Sequence, residues 1–227
     1  MTRPRFRASH GALLALCACT SGSEGPDASA ETCFLGDPSK SAIIEPIFRQ
    51  VDGSIAKLEE GSSVPLILPP QGGKVIFVGV RAQNLDGCPI EISASMRDPC
   101  SNALVALERR PIRLTPTASG WLEPLLPTEI VNYSNLPACP RAGLERDIEG
   151  QPYEITIRVE DKSGRKAEAK VSAVPFCAEP EFRDRCTCEC RAAYRQGDTC
   201  EALPDSGVPA GTCALDGGTD AATDAGT

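Results

Sequence analysis

Residues 153–173 read Tyr153-Glu-Ile-Thr-Ile-Arg-Val-Glu-Asp161-Lys-Ser-Gly164-Arg-Lys-Ala-Glu-Ala-Lys-Val-Ser-Ala173. Tyr153, Ile155, Ile157 and Val159 alternate with Glu154, Thr156, Arg158 and Glu160, a period of two that puts one apolar and one charged face on a strand. Asp161-Lys162-Ser163-Gly164 supplies turn chemistry, with Gly164 suited to a positive φ. On the return, Ala167, Ala169, Val171 and Ala173 face inward against Lys166, Glu168, Lys170 and Ser172. The stretch predicts a β-hairpin with one buried face.

The same pattern recurs upstream. Ile90, Ile92, Ala94 and Met96 alternate with Glu91, Ser93 and Ser95. From Lys74 to Ala82 both faces are apolar: Ile76, Val78 and Val80 on one, Val75, Phe77 and Gly79 on the other, as in a central or well-covered strand. Ala42–Val51 and Val64–Leu68 are further candidates, the second ended by Pro69-Pro70. Ala103–Leu107 and Pro111–Leu114 read as two strands joined at Glu108-Arg109-Arg110. Gly120-Trp121-Leu122 and Ile130–Tyr133 read as short edge strands, with Pro124, Pro127, Pro137, Pro140 and Pro152 marking loops. Trp121 is assigned to the core between sheets, with an exposed contact role as the alternative. No segment sustains a helical period.

Seven to nine short strands in one block suit an all-β antiparallel β-sandwich over residues 33–178. The Tyr153–Cys177 hairpin resembles the terminal strand pair of bacterial immunoglobulin-like or fibronectin-like domains. That resemblance implies an immunoglobulin-like sandwich, although the tyrosine corner and the Cys…Trp…Cys spacing are not evident. Residues 179–213 change in texture. Cys186-Thr-Cys188-Glu-Cys190 leads to Cys200 and Cys213 with few apolar residues, a small segment that relies on cross-links. Its Cys-x-Cys…Tyr-x-x-Gly-x-x-Cys run resembles the end of an EGF-like module without the full six-cysteine spacing.

The N-terminal residues set the redox setting. Arg3, Arg5 and Arg7 precede a short apolar run, Ala12–Ala18, far below the length that spans a bilayer. Leu16-Cys17-Ala18-Cys19 resembles the bacterial lipobox. The resemblance implies a signal peptide over 1–18, acylation of Cys19 (a diacylglyceryl thioether and palmitate-type acyl chains), and outer-membrane placement, since Thr20 gives no inner-membrane retention signal. Residues 19–32 carry no large apolar side chain and are expected to form a lipidated flexible tether. With Cys17 removed and Cys19 acylated, ten of the 12 cysteines remain: Cys33, Cys88, Cys100, Cys139, Cys177, Cys186, Cys188, Cys190, Cys200 and Cys213. An even number in an exported chain reads as a disulfide framework. The returning hairpin makes Cys139 a candidate partner for Cys177, while the roughly 20 Å reach of the Ile90–Met96 strand argues against Cys88 with Cys100. Residues 214–227, with Asp216, Asp220 and Asp224, form a low-complexity Asp/Gly/Thr-rich tail without calcium-loop spacing, expected to be disordered.

Charge and composition bound the function. Loss of Arg3, Arg5 and Arg7 takes the formal net charge from −8 to −11, against a nucleic-acid partner. The single histidine, His10, falls in the expected signal peptide, so imidazole catalysis and imidazole metal sites are not expected. Thiolate metal binding at Cys186, Cys188, Cys190 and Cys200 is disfavoured by one-residue spacing and an oxidising compartment. No catalytic residue, metal or cofactor is assigned. The expectation is a membrane-anchored extracytoplasmic lipoprotein, not an enzyme, binding a protein or polysaccharide. The alternatives are a structural envelope component and a carboxylate-only glycan hydrolase.

Overall fold

In the computed structural model, which describes residues 33–124, 130–202 and 213, the hairpin forms as β12 (Tyr153–Asp161) and β13 (Lys166–Cys177). The strands pair antiparallel from Tyr153 opposite Ala173 to Glu160 opposite Lys166. Asp161 builds the turn: its carboxylate accepts from Ser163 N at 2.9 Å, Ser163 Oγ at 2.7 Å and Arg165 N at 2.9 Å, and Gly164 has φ +81°.

β12 also pairs with β7 (Ile90–Arg97), and β7 with β8 (Leu104–Ile112). β4 (Ser62–Leu66) joins the other side of β13, giving a five-stranded sheet in the order β4-β13-β12-β7-β8. The β4–β13 pair is parallel, so the sheet is antiparallel except at this edge. The expected break at Glu108-Arg109-Arg110 is absent, because those residues pair across to Ala94, Ser93 and Ile92 and β8 runs through them.

The second sheet is organised on β5 (Lys74–Gln83). β2 (Ile43–Arg49) pairs with it and carries β3 (Ile55–Lys57). Its other side takes β11 (Ser134–Cys139) and β10 (Leu122–Pro124), the latter continuing to β9 (Leu114–Pro116). A two-stranded patch, β1 (Phe34–Leu35) with β6 (Leu85–Asp86), closes one end. Ile130–Asn132 is a 3₁₀ turn, not the expected strand, and Pro137 sits inside β11 at an irregularity, where a proline is tolerated.

Between the sheets lie Ile155, Ile157, Ile90, Ile92, Met96, Ile76, Val78 and Val80, none more than 1 % exposed. Full burial of side chains of this size is worth about 1.5–3 kcal/mol each. The opposite face of β5 is covered as well: Val75 and Phe77 pack with Ile47, Ile67 and Tyr133 in a second apolar cluster. Gly79 continues that face, and a Cβ there would come within 3.0 Å of the Tyr133 ring. Trp121 is not a core residue; it is partly exposed, with Arg81 Cζ 5.3 Å from its ring.

After β13 the chain makes a 3₁₀ turn at Pro180–Phe182 and one short helix, α1 (Arg183–Glu189). The helix is too short for its period to show in the sequence. It is bound tightly to the sandwich. Cys186 and Cys190 belong to the main core, and the described residues fall in one compact unit. Five disulfides pair all ten cysteines: Cys33–Cys88, Cys100–Cys213, Cys139–Cys190, Cys177–Cys186 and Cys188–Cys200. The expected Cys139–Cys177 bridge is therefore replaced. α1 folds back on the end of β13, so Cys186, nine residues on, reaches Cys177 first, and Cys190 takes Cys139. Cys19, the tether and the tail with Asp216, Asp220 and Asp224 lie outside the described residues.

Candidate functional site

The outward side chains of the five-stranded sheet are arranged in rows by the strand register. Leu107, Ser95, Thr156 and Lys170 form one; Arg109, Ser93, Arg158 and Glu168 the next; Pro111, Glu91, Glu160 and Lys166 the third. The two central strands carry short residues in the middle, Ser93, Ser95 and Thr156, while long charged side chains stand around them, Arg109, Lys166, Glu168 and Lys170 on the flanking strands and Glu91, Glu154, Arg158 and Glu160 on the central ones. Short between long makes a trough.

Two depressions of about 530 and 330 Å³ share Ser93, Arg158 and Glu168. A third, of about 320 Å³, adjoins the first through Glu91, Arg109 and Glu160, and extends to Pro89 and Lys162. A fourth, of about 310 Å³, adjoins the second through Glu154 and Lys170 and reaches Pro99 and Glu60. Together they follow the sheet face along the strands. At about 3.3 Å per residue, a strand of nine residues such as β12 spans roughly 30 Å.

Charge along the trough is mixed. Arg158 pairs with Glu168, Arg109 with Glu91, Lys166 with Glu160 at 3.1 Å, and Lys170 with Glu154 at 2.5 Å. These pairs are largely exposed and screened by solvent, so they organise the surface more than they stabilise it. Arg97 at one end donates to the Asn102 carbonyl at 2.9 Å. Leu104 and Leu107, 40 % and 58 % exposed, give that end an apolar rim.

A smaller cluster lies on the other sheet. Arg81 reaches Glu45 at 3.1 Å and Glu123 at 2.7 Å beneath Trp121, and Lys57 lies 3.5 Å from Glu45. Burial pushes the Arg81 pKa down, but the hydrogen bonds to Glu123 and Glu45 outweigh it and hold it above its usual value. A carboxylate pair clamped on one guanidinium lacks the apolar surroundings that keep a general acid protonated. The cluster serves to join β2, β5 and β10.

The Sγ atoms of Cys177, Cys186 and Cys190 lie within 4.8 Å of one another, but each is in a disulfide and offers no thiolate to a metal. Among the described residues no helix is long and apolar enough to cross a membrane.

The sequence exposed half of this site. The outward sets of β7, β12 and β13 were legible from alternation alone. The β8 contribution was only partly so: Leu104 and Leu107 fell in the expected Ala103–Leu107 strand, but reading Glu108-Arg109-Arg110 as a turn removed Arg109 from the face. No protein-family model, curated protein or solved structure matches the chain.

Proposed function

We propose that this protein is an exported lipoprotein, anchored at the bacterial outer membrane through Cys19, whose sandwich is a non-catalytic binding module. Its ligand is an extended, mixed-charge segment of a partner protein lying along the trough of the five-stranded sheet. The trough is the observation that carries this reading. Its cations and carboxylates nearly balance, so a polyanion gains little from it, whereas a segment with both signs of charge can exchange partners with the ion pairs. No aromatic ring lines the four depressions, which disfavours a sugar platform. Leu104 and Leu107 offer an apolar anchor at one end. The anchor reading draws support from the order of basic, apolar and small residues before Cys19, and from the even set of ten cysteines that remains.

Arrays of nine-residue peptides and of glycans, probed with wild type and with Ser93→Trp, test the ligand. Wild type is expected to select peptides carrying both Lys or Arg and Asp or Glu, to lose them in 0.5 M salt, and to lose them in the variant. Selection of glycans, or of nothing, returns the assignment to a polysaccharide binder or to a structural envelope component. Mass spectrometry of the intact mature protein tests the anchor, with an acylated Cys19 at the N-terminus as the expected result.

A further inference from the structure

The turn between β7 and β8 holds a cluster with a different chemistry. Arg146 is 3 % exposed, and its Nη1 lies 3.0 Å from Asp98 Oδ1 and 2.7 Å from Cys100 Sγ. Nη2 donates to Gln151 Oε1 at 3.0 Å, the guanidinium stands 5.6 Å from the Tyr153 ring, and Nε is buried with no partner among the described residues. Cys100 is bonded to Cys213, which is exposed. The Cys213 side of this disulfide therefore faces solvent, and Cys100 Sγ rests on a buried cation with one donor unpaired among the described residues.

We propose that Cys100–Cys213 is a thiol-exchange site, at which an accessible thiol of a partner protein or small molecule becomes linked to Cys213. The incoming thiolate attacks Cys213 Sγ and forms a new S–S bond. The Cys100–Cys213 bond breaks, and its electron pair leaves on Cys100 Sγ against Arg146 Nη1. The exchange is balanced without an external oxidant, since one disulfide replaces another. Stabilising the departing thiolate speeds such exchange, because leaving-group basicity enters the rate directly. The groups that face Cys100 are of both signs. Arg146 favours the thiolate and Asp98 opposes it, but the Asp98 carboxylate is engaged by Arg146, by Cys100 N at 2.9 Å and by Ser101 Oγ at 3.2 Å. Arg97 adds a second cation on the same turn, through its bond to the Asn102 carbonyl.

Cys188–Cys200 provides an internal comparison, because Cys200 is also exposed while Cys188 is buried in α1. The full-length oxidised protein, treated with reduced glutathione and quenched by alkylation, is mapped by peptide mass spectrometry over time. Glutathione is expected on Cys213, with alkylated Cys100, about tenfold sooner than any modification at Cys200. Opening of both disulfides together, or of Cys188–Cys200 first, overturns the proposal. In Cys213→Ser the lone Cys100 thiol is titrated with iodoacetamide across pH. A midpoint below the ordinary thiol value of about 8.5 supports the guanidinium's role, and a midpoint at or above it refutes that role.

Discussion

The Tyr133 hydroxyl is buried with no hydrogen-bond partner among the described residues, and burial, only partly offset by the charge of Arg49, pushes its pKa up to about 12. An unsatisfied buried hydroxyl costs about 1–3 kcal/mol, so Tyr133→Phe keeps the ring and removes the penalty. The variant is expected to be as stable as wild type or more so by urea midpoint; a loss above about 1 kcal/mol would mean the hydroxyl is bonded. Lys74 and Glu189 show the opposite case. They are 1 % and 8 % exposed at the side chain, 2.9 Å apart, and join β5 to α1. Burial pushes the Glu189 pKa up, but hydrogen bonds and charge from Lys74 and Arg185 outweigh it and hold it below its usual value. A carboxylate depressed in the folded state adds stability above its unfolded value of about 4.3 and loses it as pH falls toward the folded one. The urea midpoint is therefore expected to fall between pH 6 and pH 3, by less in Glu189→Gln. Lys74→Met at pH 7 leaves the buried Glu189 carboxylate to the exposed Arg185 alone, 2.6 Å away, and is expected to cost less than the roughly 3–5 kcal/mol of a buried charge stripped of every partner, about 1–3 kcal/mol.

At the scale of elements, β5 works because one of its faces carries a glycine, Gly79, in mid-strand. Gly79→Ala would drive a methyl against the Tyr133 ring and is expected to cost about 1–3 kcal/mol by thermal denaturation, a loss that should shrink when Tyr133 is replaced by Leu. Elements with clear patterning were legible in the sequence: β7, β12 and β13 by strict alternation and β5 by a continuous apolar run stand within two residues of where the pattern places them, apart from the end of β13. Period two is imposed by backbone geometry and needs no neighbour to be read. Where reading failed, tertiary partners decided. β8 continues through Glu108 and Arg110 because the two pair with each other and the Ser134 hydroxyl donates to Glu108 at 2.7 Å. β11 accepts Pro137 because the strand is irregular there. Cysteine pairing depends on where α1 lies, and no spacing encodes that.

At the largest scale, the described residues form a sandwich and a cysteine-rich segment sharing one core, with Cys186 of α1 and Cys190 just after the helix covalently fixed to β13 and β11. Replacing Cys139 and Cys190 together by Ser opens a closure of 51 residues, which chain entropy values at about 4 kcal/mol. Calorimetry should show one lowered transition, not an early melting of the segment followed by an unchanged sandwich. The trough is likewise a property of the packed sheet: most of its rows were legible strand by strand, but its depth comes from long side chains of four strands standing around Ser93, Ser95 and Thr156. Cys33–Cys88 acts at the same scale. Cys33 is joined across 55 positions of sequence to the residue just before β7, and β1 beside it is only two residues long. Tension applied upstream of residue 33 thus passes through sulfur into a central strand of the five-stranded sheet, where yielding requires many backbone bonds to shear at once. Without the disulfide, the same pull would peel β1 and then β2 one bond at a time.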